Sequence, residues 1–274
     1  MKAFFFHWHF DVVTVVLIAA IVILYEYVAD FAWTRQCNYF VAGLFVLIAA
    51  VFSPLHWLGM HYLFSAHMIS HILLLLVVPP LLVAGIPQSN RIQKSVLRIS
   101  VQLKRFPIAC WLAGVVVMWL WHIPVVFHQM FSMKENMQQD NSMGILFYLH
   151  LLSLLTAGTL FCWPILNPYK QTRLYAPNAV LYLVSACIAC SLLGLLITFA
   201  PVGLYTGYLL ESKNLIAFRL RYGITATMDQ QAAGLIMWVP CCFIYLSASV
   251  LLLHKWFTAK DNNNLSLTDN SIIQ

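Results

Sequence analysis

The sequence predicts an all-α, polytopic membrane protein with seven transmembrane helices, the N-terminus outside and the C-terminus inside. Of its 274 residues, 62% are hydrophobic and only 9% are charged, whereas an average soluble domain carries about 25% charged residues. The apolar residues form seven runs of helical length, and the basic residues gather in alternate loops. A soluble globular protein is therefore excluded.

The seven runs are long enough to cross a bilayer, since a transmembrane helix needs about 20 apolar residues. They cover residues 12–28, 39–58, 62–86, 106–128, 144–166, 178–200 and 231–254. Because little chain is left over, residues 1–260 are predicted to form a single transmembrane domain. The polar residues 261–274 are predicted to be a disordered cytoplasmic tail.

The first run follows a start that lacks the basic region and cleavage site of a signal peptide, so we expect it to stay as an anchor. The second is the weakest, because its apolar stretch ends at Phe52 before Ser53-Pro54, and we expect it to span by including Trp57-Leu58. The third ends in Pro79-Pro80, which is predicted to break or kink the helix. The other four are assigned on length and apolarity.

The orientation follows from Lys and Arg, which collect in short cytoplasmic loops. Ten of the fifteen fall on one side, at residue 35 and in the segments 87–105, 170–173 and 255–260. This places the loop 87–105 in the cytoplasm. The scattered basic residues are typical of contact with lipid headgroups, and no nucleic-acid motif accompanies them.

Nine of the ten histidines fall on the outer half in this topology, and ionisable groups in membrane helices usually mark function. His67 and His71 stand four residues apart early in the third run, so both project from one helix face. His122 lies near the outer end of the fourth run, with Met118 one turn deeper. His150 lies in the second turn of the fifth run.

Asp229 and Gln230 open the seventh run, so four helices could bring side chains to one site in the outer leaflet. The predicted metal ligands are His67, His71, His122, His150 and Asp229, with Met68, Met118 and Gln230 as accessory residues.

Copper suits this donor set best, because imidazole binds several transition metals while thioether sulfur prefers monovalent copper. Further methionines crowd the outer loop after the fourth run, namely Met130, Met133, Met137 and Met143. Cys187 and Cys190 share a face of the sixth run and form a weaker candidate thiolate site. Cysteines inside apolar runs are more typical of helix packing.

The same residues permit structural explanations. His67 and His71 could be interhelical hydrogen-bond donors, and Asp229 could cap the seventh helix. The remaining outer histidines near tryptophans fit an interfacial aromatic belt, namely His7, His9, His56 and His61.

Two classes of protein are excluded. Residues 231–254 contain no lysine for a retinal Schiff base, and Met68 stands where a zincin protease has its glutamate. Two alternatives to copper handling stay open. One is a membrane electron carrier with haem held by histidines of the third and fourth runs, and the other is a metal-free structural scaffold.

Five motifs follow one another in the stretch between residues 9 and 254. They are Phe64-Ser65-Ala66-His67-Met68-Ile69-Ser70-His71, Val78-Pro79-Pro80-Leu81-Leu82-Val83-Ala84-Gly85-Ile86-Pro87, Trp121-His122-Ile123-Pro124, Phe161-Cys162-Trp163-Pro164 and Asp229-Gln230-Gln231-Ala232-Ala233-Gly234. Together with the seven helices, they resemble the CtaG-like family of membrane proteins that assist assembly of caa-type cytochrome c oxidase.

The resemblance implies an assembly factor of the bacterial cytoplasmic membrane, not an enzyme, that acts on the copper centre of the oxidase catalytic subunit. It implies copper as the bound metal and oxidase subunits as partners, with a periplasmic copper donor and membrane lipid as further partners. The family's histidine motifs are similar to His67, His71 and His122 here, and its Asp-Gln motif is similar to Asp229 and Gln230.

Overall fold

The computed structural model describes residues 8, 10–29, 33–129, 145–201, 204–205 and 213–272, except the side chains of 213–217 and 260–272. These residues form helices and no strand. The α-helices are α1 (Val12–Ala29), α2 (Arg35–Phe52), α3 (Pro54–His61), α4 (Phe64–Ile72), α5 (Val78–Ala84), α6 (Asn90–Arg105), α7 (Pro107–Trp121), α8 (Ile145–Leu166), α9 (Ala176–Phe199), α10 (Lys213–Tyr222) and α11 (Ala226–Ile272).

The described helices provide six to seven membrane spans, which confirms the all-α polytopic fold. Six segments are long and apolar enough to cross a bilayer: Val12–Ala29, Arg35–His61, Phe64–Ala84, Ile145–Leu166, Ala176–Phe199 and Ala226–Ala259. The pair α6 and α7, bent by 85°, supplies the seventh if counted as one span. Helix α7 alone rises about 22 Å, and residues 124–129 are again helical beyond it.

Contacts between the helix ends agree with alternating spans. The Tyr148 hydroxyl at the start of α8 donates to Asp11 at the start of α1. At the opposite end of the bundle, Lys104 Nζ donates to the Gln171 carbonyl in the connection between α8 and α9. Which end faces the cytoplasm stays a prediction from the basic residues.

The second predicted span is interrupted at Ser53. This residue has an extended backbone (φ −74°, ψ 164°), and Pro54 begins the separate helix α3. Helix α3 then packs against α4 at Gly59, where an added Cβ would lie 2.7 Å from the His67 backbone nitrogen. A larger residue at position 59 would therefore push α3 away from the helix that carries His67.

The third span does not end at its two prolines. Residues Leu73–Val77 form a π-helical turn, in which the Val78 N–H donates to the Leu73 carbonyl. Pro79 and Pro80 then occupy the first turn of α5, where the missing N–H groups are tolerated. The structure thus has a π-helical turn just before the prolines in place of the predicted break, and the span continues to Ala84.

Helix α8 crosses the third span at this π-helical turn. A Cβ on Gly158 would lie 2.6 Å from the Leu75 carbonyl oxygen and 2.6 Å from Pro79 Cγ. In an unbroken α-helix the Leu75 carbonyl would accept from residue 79, and proline has no N–H to donate. Glycine lets the α8 backbone approach this carbonyl, where Cα–H···O contacts are favourable.

The segment predicted as the cytoplasmic loop 87–105 contains the helix α6. Its buried face includes Val96 and Ser100, and Ser100 accepts a hydrogen bond from Trp163. Its five basic residues are all exposed: Arg91, Lys94, Arg98, Lys104 and Arg105. A helix with one apolar and one basic face, turned 85° from the span that follows, is typical of a helix lying along a membrane surface.

All seven cysteines lie in described residues and are free thiols.

Helices α9 and α11 pack closely through glycines, since a Cβ on Gly234 would lie 2.6 Å from the Gly194 carbonyl oxygen. Helix α11 is assigned as far as Ile272, where the sequence predicted an irregular tail. The division into a domain of residues 1–260 and a tail of residues 261–274 stays a prediction.

Candidate metal centre

Four histidines from three spans meet inside the bundle. His67 and His71 come from α4, His122 follows the last residue of α7, and His150 belongs to α8; each is at most 5% exposed. Their ring centroids lie 4.5 Å apart for His67–His71, 4.5 Å for His71–His150 and 5.0 Å for His71–His122. The convergence expected for these four histidines is present in the fold.

Three of the four present their ring nitrogens to one another. One ligand atom from each of His67, His71 and His150 lies within 4.8 Å of the other two. The Nε2 atoms of His71 and His150 are 2.7 Å apart, so one nitrogen donates a hydrogen bond and the other accepts it. Among the residues described, these three form the group of His, Cys and acidic side chains close enough to share an ion.

His122 faces the thioether of Met68. The Met118 carbonyl oxygen can only accept a hydrogen bond, so the Nδ1 atom of His122 must carry the hydrogen and donate it. In a neutral imidazole this leaves Nε2 with its lone pair and no hydrogen, and that atom lies 3.3 Å from Met68 Sδ. Two electron-pair donors therefore face each other with no proton between them.

Local sequence features bring the rings inward. The spacing of His67 and His71 puts both on the buried face of α4. Trp121 at the end of α7 donates to Ser153, and Ser153 in turn donates to the His150 carbonyl. These bonds join α7 to α8 beside the cluster, and the Trp121 ring lies edge-on to the His150 ring at 4.8 Å.

Asp229 binds the helix that carries the histidines. Its Oδ2 accepts from the Phe64 backbone N–H at 2.7 Å, and its Oδ1 accepts from the Ser65 N–H at 3.0 Å and the Ser65 hydroxyl at 2.6 Å. It caps the start of α4, not of its own helix. Asp229 is predicted as a metal ligand. It is not one of the three residues whose ligand atoms lie within 4.8 Å of one another, which are His67, His71 and His150.

Gln230 and Met118, predicted as accessory residues, make contacts of their own. The Gln230 amide donates to the Ile197 and Ala200 carbonyls at 3.1 and 2.7 Å, which satisfies the end of α9. Met118 contributes its backbone carbonyl to His122, while its side chain lines a small cavity deeper in the bundle beside Leu75 and Tyr245.

Two residues near the cluster were not recognised as candidates from the sequence. His56 and Met60 on α3 line a small cavity together with His67, His71 and His150. His56 had been assigned to an interfacial belt. The signal that could have identified the pair is its i,i+4 spacing in a helix opened by Pro54.

Cys187 contacts Cys242 of the neighbouring span, with the two Sγ atoms 3.2 Å apart. Ser191 Oγ also lies 3.2 Å from Cys242 Sγ. Cys190 instead contacts the Met237 carbonyl. Cys187 and Cys190, predicted as a pair, thus contact different partners on α11.

Some of the predicted residues lie outside the part of the chain that the structure describes. They are His7, His9, Met130, Met133, Met137 and Met143.

Comparison with known proteins identifies a family. No curated protein and no solved structure matches the chain. The sequence model of the family described as cytochrome c oxidase caa3 assembly factor, Caa3_CtaG, matches residues 12–259, nearly the whole chain. The chain therefore belongs to the Caa3_CtaG family of cytochrome c oxidase assembly factors.

Proposed function

We propose that this assembly factor holds Cu(I) as cargo in the histidine cluster and passes it to the copper centre of the oxidase catalytic subunit. In this proposal the protein is not an enzyme. It works in the bacterial cytoplasmic membrane, receives copper from a periplasmic donor, and releases it to the oxidase on the outer side, with lipid around its spans.

The contact between His122 and Met68 is the observation that carries the proposal. Nε2 and Sδ both offer electron pairs across 3.3 Å. Metal–nitrogen and metal–sulfur bonds of about 2.0 and 2.3 Å would span this distance at an angle of about 100°. A cation at that point would turn a repulsive contact into a pair of bonds.

The charge of the surroundings favours a monovalent ion. The cluster consists of neutral imidazoles and a thioether, and the Asp229 carboxylate is held by the start of α4. The cost of burying an ion in a low-dielectric interior rises with the square of its charge. A divalent ion would cost about four times as much as Cu(I), which is also the ion that thioether sulfur prefers.

The hydrogen bond between His71 and His150 makes the site exchangeable. Two nitrogens on one tetrahedral metal ion, each about 2.05 Å from it, lie about 3.3 Å apart, whereas these two are 2.7 Å apart. Binding must therefore separate them by about 0.6 Å and replace their hydrogen bond. Because the empty site keeps that hydrogen bond, release of the metal leaves the Nε2 atoms of His71 and His150 satisfied.

The two alternatives receive less support from the geometry. A haem needs its axial histidines on opposite sides of a flat macrocycle, whereas the rings of His71 and His122, from the third and fourth spans, contact each other edge-on with centroids 5.0 Å apart. A metal-free scaffold accounts for the hydrogen bond between His71 and His150. It gives no reason for a lone pair of His122 to face the Met68 sulfur.

Copper content of the detergent-purified protein tests the proposal. We expect about one Cu(I) per chain in the wild type after anaerobic loading, and none in His67→Ala/His122→Ala. His254→Ala, which removes an exposed histidine on the opposite side, is the matched control and should keep its copper. Copper-free wild type, or unchanged copper in the double variant, would contradict the proposal.

Thermal unfolding separates the scaffold alternative. If copper is held as proposed, adding Cu(I) raises the melting temperature of the wild type and not of the double variant. A scaffold would show the same loss of stability in the double variant with and without copper, and no shift in the wild type.

A further inference from the structure

The short helix α3 brings a histidine and a methionine to the edge of the histidine cluster. His56 and Met60 are four residues apart and thus share a face of α3. Both are half-buried, and both line the cavity that His67, His71 and His150 also line. The cavity has room for a single water-sized species.

The position of this face is set by close packing. Gly59 lies between the two residues, and a Cβ there would be 2.7 Å from the His67 backbone nitrogen and 2.8 Å from its Cα. Helix α3 is thereby held at the level of His67. The His56 ring is further positioned edge-on to Phe147 in the first turn of α8, with centroids 5.4 Å apart.

The chemistry of the pair matches that of the cluster behind it. An imidazole and a thioether repeat the donor types of His122 and Met68, and both are neutral ligands suited to Cu(I). The pair differs in exposure, because the cluster histidines are at most 5% exposed while His56 and Met60 are half-buried. A metal leaving the cluster through this cavity would therefore meet these two donors next.

We propose that His56 and Met60 form an exchange site through which Cu(I) enters and leaves the buried cluster. In each step one bond from copper to a ring nitrogen or thioether sulfur forms and one such bond breaks. Copper stays Cu(I), so no electron is needed. As copper leaves, the hydrogen bond between His71 and His150 closes behind it. This inference rests on the proposed function, since an exchange site requires a cluster that holds copper.

Transfer kinetics with the full-length protein in detergent test the inference. Cu(I) is supplied anaerobically as its coloured bicinchoninate complex, and removal is followed with excess bathocuproine disulfonate. His56→Gln/Met60→Leu is expected to bind the wild-type amount of copper while both rates fall by about tenfold or more. The matched control, His61→Ala/Met228→Leu, changes an exposed histidine on α3 and an exposed methionine, and should keep wild-type rates.

Met60→Leu alone is the milder variant, because it replaces sulfur by carbon at nearly constant volume. It is expected to slow both rates by about threefold or more, and it provides the test if the double variant does not fold.

The outcomes separate this inference from the proposed function. Wild type that binds no Cu(I) refutes both. Wild type that binds copper, with unchanged rates in both variants, refutes the exchange site and leaves the cluster standing. Loss of bound copper in His56→Gln/Met60→Leu, with the fold retained, would make the pair part of the holding site and also overturn the inference.

Discussion

The Asp229 carboxylate accepts the Phe64 backbone N–H at 2.7 Å, across 165 residues of sequence. A side chain that opens the last span thus caps the helix that carries His67 and His71. The first N–H groups of a helix have no partner within it, and the partial positive charge at that end favours a carboxylate. Asp229 therefore holds in place the helix that carries two of the proposed copper ligands.

Replacing Asp229 tests this role. Asp229→Ala leaves two backbone N–H groups unsatisfied, so we expect a loss of about 2–3 kcal/mol in the free energy of unfolding. Asp229→Asn retains one acceptor oxygen and should lose about half as much. Unfolding in detergent micelles provides the measurement.

Copper binding by the same variants distinguishes positioning from ligation. Copper stoichiometry should stay at the wild-type value in Asp229→Asn, with weaker affinity. Met228→Ala, at an exposed neighbouring position, is the control. Wild-type stability in Asp229→Ala would show that the cap does not hold α4.

The packing of α8 against the π-helical turn is expected not to tolerate a Cβ atom at position 158. In Gly158→Ala the new Cβ would meet the Leu75 carbonyl oxygen at 2.6 Å, and backbone cannot move aside as a side chain can. We expect a loss of about 1–3 kcal/mol in stability.

Gly43→Ala provides the matched comparison in another span. The atom nearest its new Cβ is the end of the Leu82 side chain at 3.1 Å, so we expect a cost of about 1 kcal/mol or less. Equal melting temperatures for the two variants would mean that Gly158 does not lie against Leu75.

The thiols of Cys187 and Cys242 should be cross-linkable. Their Sγ atoms are 3.2 Å apart across α9 and α11, so a membrane-permeant oxidant such as diamide is expected to join them while it takes up the two hydrogens. Mass spectrometry of the digested protein should find the linked peptides in the wild type and not in Cys187→Ser. A fully oxidised sample without this linkage would contradict the packing of the two spans.

The sequence was sufficient for the spans and for the four histidines, because apolar run length and i,i+4 spacing are local properties. It predicted His67 and His71 on one face, and the alternation of spans placed His122 and His150 at the same end of the bundle. Helix α6 was missed because its composition is polar and basic, although Ile92, Val96, Ile99 and Leu103 recur at the spacing of one helix face.

The partners of Asp229 and Gln230 could not be predicted, since each lies on another span far away in sequence. The sequence suggested a cap at the start of the seventh helix, but the tertiary fold puts the carboxylate at the start of α4. A break near Pro79 was predicted, whereas its form as a π-helical turn, against which α8 packs at Gly158, was not.

X-ray absorption at the copper edge of the anaerobically loaded protein reports directly which atoms bind the copper. We expect Cu(I) with nitrogen ligands at about 2.0 Å and one sulfur at about 2.3 Å, and we expect Met68→Leu to lose the sulfur and keep the nitrogens. A spectrum without histidine nitrogens, or a sulfur that persists in Met68→Leu, would contradict a single copper ion shared by histidines from separate spans.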